Sequence, residues 1–313
     1  MKSFLRAVEV WRPEGLAGPL VFDDGLYGED LADFREASLG MRFALDEGLP
    51  GKAWAQRRPI VLKGFRGSYF KRVEAAEAAG LTCGIALPIF RGDALQAVTV
   101  FFCGDDEENV GVIEVWKHDP ERSPGIKFVD GHFGIAEALE WEARHITFMP
   151  GSGLPGMVWL RNRPVFVADL GNAARFIRTD DARRVGLNKG LGIPCPGDGA
   201  NAWVMLFLSA FGTPIAQRQE IWSVGEGGET LAFRTGDCVR DPDLPKSLAG
   251  AVIGRGEGAI GQALTTGAPK IAASLAADAT PVATSAAAAG LAAMVALPIY
   301  DDDEVSSVVS FYF

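Results

Sequence analysis

The sequence has few cysteines and histidines and no long hydrophobic run. Its four cysteines, Cys83, Cys103, Cys195 and Cys238, form no Cys-x-x-Cys pair. This usage predicts reduced thiols in a cytoplasmic protein and not a disulfide framework. No apolar stretch reaches the ~18 residues that a membrane helix needs, and the first residues become charged too soon for a secretory signal peptide. We therefore expect a cytoplasmic location and no membrane partner.

Basic residues are also in short supply. The 30 Lys and Arg residues stand against 40 Asp and Glu, which gives a net charge of −10. That balance argues against nucleic acid as a partner. The three histidines, His118, His132 and His145, lack metal-ligand spacing, so no metal site is predicted. No Ser-His-Asp set or carboxylate pair stands out, and no catalytic residue is predicted.

What the sequence does contain is one pattern repeated three times. The turn Gly48-Leu-Pro-Gly51 recurs from Gly153 and again, as Gly-Ala-Ile-Gly, from Gly258, in steps of 105 residues. Prolines and a Glu-x-Trp motif recur at nearly the same period: Pro59, Pro164 and Pro269; Trp11, Trp116 and Trp222. A period of this length is that of a small whole domain. We predict domains at 1–104, 105–212 and 213–313, the last one degenerate.

Each copy has the same predicted order of elements. In the first copy, β-type patterns at 4–11 and 20–22 precede a helical pattern at 29–38 and a strand at 41–45. A short helix, a strand, a helix at 69–79 and two final strands follow. This order predicts an α+β fold with an antiparallel sheet. The final strand of each copy is strongly apolar and is predicted to be central.

With that order, each copy resembles a GAF domain, the sensory fold related to PAS domains. The resemblance rests on the Gly-x-Pro-Gly turn, on an Arg-Pro strand start, on a helix ending in Gly-Leu and on a strand ending in proline: Arg58-Pro59 and Arg163-Pro164; Gly80-Leu81, Gly186-Leu187 and Gly290-Leu291; Pro88, Pro194 and Pro298. It implies three tandem GAF/PAS-like domains, each an antiparallel sheet flanked by helices. GAF domains usually carry long terminal helices, and the joins between copies leave no room for them.

The resemblance also locates a candidate pocket, because the helix before Gly80 and its equivalents cover the ligand site of GAF domains. An aromatic ring beside a guanidinium suits a planar or anionic small ligand. The third copy replaces these residues with Leu264, Thr280 and Val282, which suggests that one shared role was lost there. The predicted ligand-binding residues of the first two copies are Trp54, Phe70, Arg72, Trp159, Phe176 and Arg178.

A purely structural role remains an alternative at each of these positions. The two arginines are also explained as solvated helix residues, and the two tryptophans as packing residues. The paired glycines are predicted to form a turn and not a phosphate cradle, because Pro50 and Pro155 each remove an N–H donor. The tryptophans of the Glu-x-Trp motif are predicted to be core residues.

The resemblance implies a non-enzymatic sensory or regulatory protein that binds a small molecule, a partner protein or a second copy of itself; no cofactor is identified. One alternative is a thiol-based redox enzyme using Cys83, which needs that thiol exposed beside a second one with a depressed pKa. Another is a scaffold whose pockets are filled by side chains. A further alternative pairs the opening strand with Val305–Phe313 at the chain's end instead of with residues 96–102.

Overall fold

The computed structural model describes residues 3–15, 18–104, 109–171, 176–197, 200–278 and 280–313. The chain forms three six-stranded antiparallel sheets, each accompanied by helices. We call each sheet with its helices a repeat. The predicted α+β class with three repeated domains is thereby confirmed. Residue 105, the predicted start of the second domain, lies outside the described residues. In the described ranges no helix has both the length and the apolar character needed to cross a membrane.

Repeat 1 contains β1 (Leu5–Pro13), β2 (Leu20–Tyr27), α1 (Ala32–Leu39), β3 (Arg42–Phe43), α2 (Gly48–Gln56), β4 (Ile60–Lys63), α3 (Val73–Ala78), β5 (Cys83–Arg91) and β6 (Ala94–Cys103). Its sheet has the order β3-β2-β1-β6-β5-β4. The predicted order of elements is therefore correct, although both longer helices begin three or four residues later than the sequence pattern indicated.

Repeat 2 contains β7 (Gly111–His118), β8 (Ile126–His132), α4 (Glu137–His145), β9 (Thr147–Phe148), α5 (Gly153–Arg161), β10 (Val165–Val167), α6 (Thr179–Arg184), β11 (Leu187–Cys195) and β12 (Ala202–Ala210). Repeat 3 contains β13 (Arg218–Val224), β14 (Thr230–Cys238), α7 (Leu244–Ser247), β15 (Val252–Gly254), α8 (Gly258–Thr266), β16 (Lys270–Ala272), a 3-10 turn (Leu275–Ala277), α9 (Pro281–Ala288), β17 (Met294–Asp301) and β18 (Glu304–Tyr312). Both sheets repeat the order of the first.

The first and last strands of each repeat pair with each other at the centre of the sheet. Trp11 lies opposite Val98, so β1 pairs with β6 and not with the closing strand of the chain. The strand-exchange alternative is wrong. The same pairing joins β7 to β12 and β13 to β18, and the apolar final strands are central, as predicted.

The recurring glycines have a steric explanation. Gly48, Gly153 and Gly258 adopt φ values of 59°, 58° and 56°, a left-handed conformation that favours glycine. Three residues later, a Cβ on Gly51 would lie 2.1 Å from the carbonyl oxygen of Ala44. The turn therefore starts the short helix α2, α5 or α8 tightly against the preceding segment.

Each sheet is buried on both faces. On the helical face every repeat has its own hydrophobic core, and Trp11, Trp116 and Trp222 lie there with 0% exposure, which confirms them as core residues. The other faces of the three sheets meet in one common core that contains residues of all three repeats. Burial on both faces explains why the central strands are almost continuously apolar.

Three phenylalanines from equivalent strands meet inside the common core. Phe101, Phe207 and Phe311 come from β6, β12 and β18, and their ring centroids lie 5.5, 6.3 and 5.4 Å apart. We call them the phenylalanine trio. Their mutual contact shows that the repeats surround a common axis. The fold therefore brings side chains of different repeats together at the interfaces between repeats.

Candidate functional site

The predicted arginine of repeat 1 is buried and already has an anionic partner. Arg72 caps the start of α3, is 5% exposed, and donates to both carboxylate oxygens of Glu9 at 2.5 and 2.9 Å. Glu9 also accepts hydrogen bonds from the Trp11 indole, the Tyr27 hydroxyl and the Ser38 hydroxyl. Burial and the charge of Glu9 raise the pKa of Tyr27, so the phenol stays a neutral donor.

Repeat 2 has the same arrangement with fewer donors. Arg178 is 3% exposed and donates to Glu114 at 2.6 and 2.8 Å, and the Trp116 indole donates to the same carboxylate at 2.8 Å. Phe176 lies 5.1 Å from the guanidinium carbon, as Phe70 lies 5.3 Å from that of Arg72. The expected neighbourhood of ring and guanidinium exists, with a glutamate of the same repeat as the anion.

Repeat 3 has the same kind of cluster, but its arginine comes from a different element. Val282, at the position of the lost arginine, is buried in the core. Arg218 on β13 supplies the guanidinium instead, with its Nε 2.6 Å from Glu220. The Trp222 indole and the Tyr312 hydroxyl, each at 2.8 Å, complete the shell around that carboxylate. An arginine–glutamate–tryptophan cluster is therefore present in all three repeats, and the loss of a ligand-binding role in the third copy stays a prediction.

The predicted tryptophans occupy two different environments. Trp54 is half-buried against the core of repeat 1. Trp159 contacts the ring of His118 in a tilted geometry, with centroids 4.1 Å apart, and lines a cavity of about 850 Å³ near the prolines of β5, β11 and β17. None of the four cavities of about 420 to 850 Å³ in the described part of the chain is lined by the predicted arginines or phenylalanines. Ligand binding by these residues stays a prediction.

A different cluster of chemically active side chains lies in the common core between repeats 1 and 2. Cys83 begins β5 and Cys103 ends β6, and the two lie directly opposite each other in the sheet. His132 ends β8 of repeat 2. The three donor atoms lie within 4.8 Å of one another, and all three residues are buried. We call this cluster the thiol–imidazole centre.

The electrostatics of the centre favour a thiolate. Burial raises the pKa of Cys83, but hydrogen bonds with Cys103 and His132, the charge of His132 and the charge of Lys63 outweigh it and lower the pKa to about 6. Cys195 lacks such partners, and burial raises its pKa well above the usual range. Cys83 is 0% exposed, so the exposed nucleophile that a redox enzyme requires is not found, although the second thiol and the depressed pKa are.

Packing of adjacent repeats places the histidine. Strand β8 of repeat 2 packs beside the edge strand β4 of repeat 1, where Lys63 and Asp130 form an ion pair at 3.4 Å. This contact places the end of β8, with His132, beside Cys83 of β5 and Cys103 of β6. Two soft sulfur donors and one imidazole nitrogen form a set typical of zinc or copper(I) ligands.

Comparison with known proteins finds weak structural similarity and no sequence match. No protein-family model matches the chain, and no curated protein matches it in sequence. Solved structures similar to it include the GAF domain of Aquifex aeolicus (A. aeolicus) nlh2, with 21% identity, a TM-score of 0.26, and coverage of 33% of this chain and 59% of that one. The matched part of this chain is about the length of one repeat.

Two other similar structures belong to different classes of protein. One is the GAF domain of a phosphoenolpyruvate-protein phosphotransferase from Coxiella burnetii, with 20% identity, a TM-score of 0.26, and coverage of 32% of this chain and 56% of that chain. Another is free methionine-R-sulfoxide reductase from Neisseria meningitidis, with 15% identity, a TM-score of 0.25, and coverage of 32% and 52%. The matches thus span less than two thirds of these chains.

The other two interfaces between GAF-like repeats carry different chemistry at equivalent positions. Lys189 of repeat 2, which corresponds to Cys83 when the repeats are aligned on the glycine that ends the preceding helix, forms an ion pair at 2.5 Å with Asp237 at the end of β14. Between repeats 3 and 1, Ala293 and Leu26 lie at the corresponding positions and line one cavity. The thiol–imidazole centre is therefore specific to one of the three interfaces in the described chain.

Proposed function

We propose that this protein is a non-enzymatic regulatory protein whose sensing element is the thiol–imidazole centre, where a thiophilic metal ion binds between repeats 1 and 2. One observation carries the proposal: two thiols and an imidazole, from two different repeats, present their donor atoms within 4.8 Å of one another in a buried position. A metal ion held there links β5 and β6 to β8. Occupancy would therefore stabilise the packing of these two repeats.

The donor set supports a soft ion. Two sulfurs bound to a tetrahedral zinc ion, at about 2.3 Å from the metal, lie about 3.8 Å apart. Donor atoms that already lie within 4.8 Å need to move only by about an ångström to reach such a geometry. The lowered pKa of Cys83 favours the thiolate form that a metal ion binds, so fewer protons need to be displaced on binding.

Metal titration of the whole chain tests the proposal. We expect one Zn²⁺ or Cu⁺ per chain in competition with a chromophoric chelator, and the two ions are titrated separately. Cys83→Ser, Cys103→Ser and His132→Leu should each weaken binding by more than about 100-fold, since even groups that merely orient a ligand are worth roughly 10- to 100-fold. Cys238→Ser, a buried thiol of repeat 3, is the matched control and should bind like the wild type.

A second readout reports on the link between repeats. At metal concentrations of about 100 Kd, the folded state should gain about 2.7 kcal/mol. Amide exchange should slow in β5, β6 and β8, the three strands that supply the donors. Absence of metal binding in the reduced wild type, or undiminished binding in Cys83→Ser, would refute the proposal.

Oxidation of the two thiols is a second candidate, and the direct opposition of Cys83 and Cys103 across the β5–β6 ladder favours it. Hydrogen peroxide would take two electrons and two protons from the thiols and leave a disulfide and two water molecules. The number of free thiols in the unfolded protein should then fall from four to two. In Cys103→Ser no disulfide should form, whereas Cys238→Ser should fall from three to one.

A further inference from the structure

A second interface, between repeats 2 and 3, contains a cleft lined by three arginines. Its volume is about 420 Å³. Arg161 ends α5 and Arg163 follows it in repeat 2, and Arg234 lies on β14 of repeat 3. No aspartate or glutamate is among the described residues that line it. We call this the arginine cleft.

The three guanidinium groups are exposed, and none forms a hydrogen bond or ion pair with any other part of the described chain. The equivalent positions in repeat 1 differ. There Gln56 replaces the first arginine, and its side-chain oxygen accepts a hydrogen bond at 2.6 Å from Arg58, the equivalent of Arg163. Repeat 2 therefore has two cations where repeat 1 has a bonded pair.

The opposite wall adds a third cation. Arg234 follows Phe233, which pairs with Trp222, and the corresponding residues of the other repeats are Val129 and Asp23. At these equivalent positions of the described chain, cations therefore occur on both walls at the interface between repeats 2 and 3 and not at the other two. Such convergence is unfavourable without a bound anion. It is also notable because the predicted domains 105–212 and 213–313 carry net charges of −4 and −6.

A buried hydroxyl points to the same conclusion. Ser307 on β18 lines the cleft, is 1% exposed, and its Oγ has no hydrogen-bond partner. It lies opposite Ser223 on β13, another residue of the lining. A buried hydroxyl without a partner is costly, and an anion oxygen within the cleft would accept a hydrogen bond from it.

We infer that the arginine cleft binds a small phosphorylated molecule. The guanidinium groups of Arg161, Arg163 and Arg234 contact the phosphate oxygens, and Ser307 donates a hydrogen bond to one of them. Phe166 and Ile221 form the apolar part of the lining, against which the remainder of the ligand packs. A cavity of about 420 Å³ is within the range of small-molecule sites. The site lies outside the helical pockets and the thiol–imidazole centre.

Calorimetric titration of the full chain with pyrophosphate tests this inference. We expect one site per chain. Arg161→Gln and Arg234→Gln, one from each wall, should each weaken binding about 10- to 100-fold, as expected for loss of charged hydrogen bonds. Arg35→Gln, which removes an exposed arginine from α1 in repeat 1, makes the same change in net charge and should bind within about twofold of wild type.

Ser307→Ala separates a ligand contact from a structural role. It should weaken pyrophosphate binding by about 2- to 10-fold. Without pyrophosphate its unfolding midpoint should equal or exceed that of wild type, because an unpartnered buried hydroxyl has been removed. A lower midpoint together with unchanged binding would assign the hydroxyl to stability and overturn its role.

Three outcomes overturn the site itself: no binding of pyrophosphate, equal effects of Arg35→Gln and Arg234→Gln, or tighter binding of citrate than of pyrophosphate, which would indicate carboxylate ligands. Cys83→Ser should retain full pyrophosphate binding. Failure of the metal proposal and failure of this one are therefore separately detectable.

Discussion

Removal of the buried guanidinium in repeat 2 should be strongly destabilising. Glu114 is 0% exposed; in Arg178→Met it would lose charged hydrogen bonds at 2.6 and 2.8 Å and, among the described residues, keep the bond from the Trp116 indole. Breaking a buried ion pair by removing one partner costs about 3–5 kcal/mol, because the other charge stays buried. We expect a loss of about that size in the free energy of unfolding.

Repeat 1 supplies an internal comparison. In Arg72→Met, Glu9 would still accept hydrogen bonds from Tyr27 and Ser38 besides the indole of Trp11. A hydrogen bond to a charged group is worth about 1.5–3 kcal/mol, so the additional donors should make this variant at least about 1.5 kcal/mol less destabilised than its counterpart in repeat 2. The number of hydrogen bonds that remain to each glutamate thus determines which variant loses more stability.

The double variant Glu114→Gln/Arg178→Met completes the test. With both charges gone, most of the loss should be recovered, to within about 2 kcal/mol of wild type. Urea unfolding followed by tryptophan fluorescence and circular dichroism measures all four proteins. If Arg178→Met loses less than about 1 kcal/mol, or if the double variant is no better than the single one, the guanidinium does not hold Glu114, and the ligand-binding role predicted from the sequence would be favoured.

Two further substitutions test packing and pH dependence. Phe207→Ala should cost about 3–5 kcal/mol by opening a cavity in the phenylalanine trio, whereas Phe211→Ala, at 76% exposure, should change stability by no more than about 0.5 kcal/mol in the same urea assay. Asp24 is half-buried, and loss of solvation is the main reason why its pKa is raised. The free energy of unfolding should therefore fall as pH rises from the pKa of an unfolded aspartate through this raised pKa. Asp24→Asn should therefore be more stable than wild type at pH 7 but not at about pH 3, and a larger gain in acid would contradict the sign.

Local patterns predicted the elements and their order well. The glycine turns, the apolar final strands and the Glu-x-Trp motif each reflect a requirement within one repeat: a left-handed φ, burial on both faces, and an indole donor for a buried carboxylate. Helix starts were less accurate. The residues before α3 showed helical spacing, but Arg72 has φ −115° and ψ 45°, so the helix begins only at Val73.

The candidate sites were harder to predict because they depend on contacts between elements. The sequence could have predicted that Cys83 and Cys103 lie opposite each other, because the hairpin turn at Gly92 and Asp93 is about equally far from both cysteines. The approach of His132 was not, because it results from the packing of one repeat on the next. Arg218 was not predicted for a related reason. It lies on strand β13, whereas the equivalent arginines of repeats 1 and 2 lie at the start of a helix, so an alignment of equivalent positions cannot identify it.

The phenylalanine trio has a consequence for cooperativity. Because its three rings come from three repeats, the packing of each ring depends on the presence of the other two folded units. An isolated repeat would expose the face that now forms the common core. The chain should therefore unfold as one cooperative unit and not as three independent domains. A change in packing at one interface would also alter the packing at the other two.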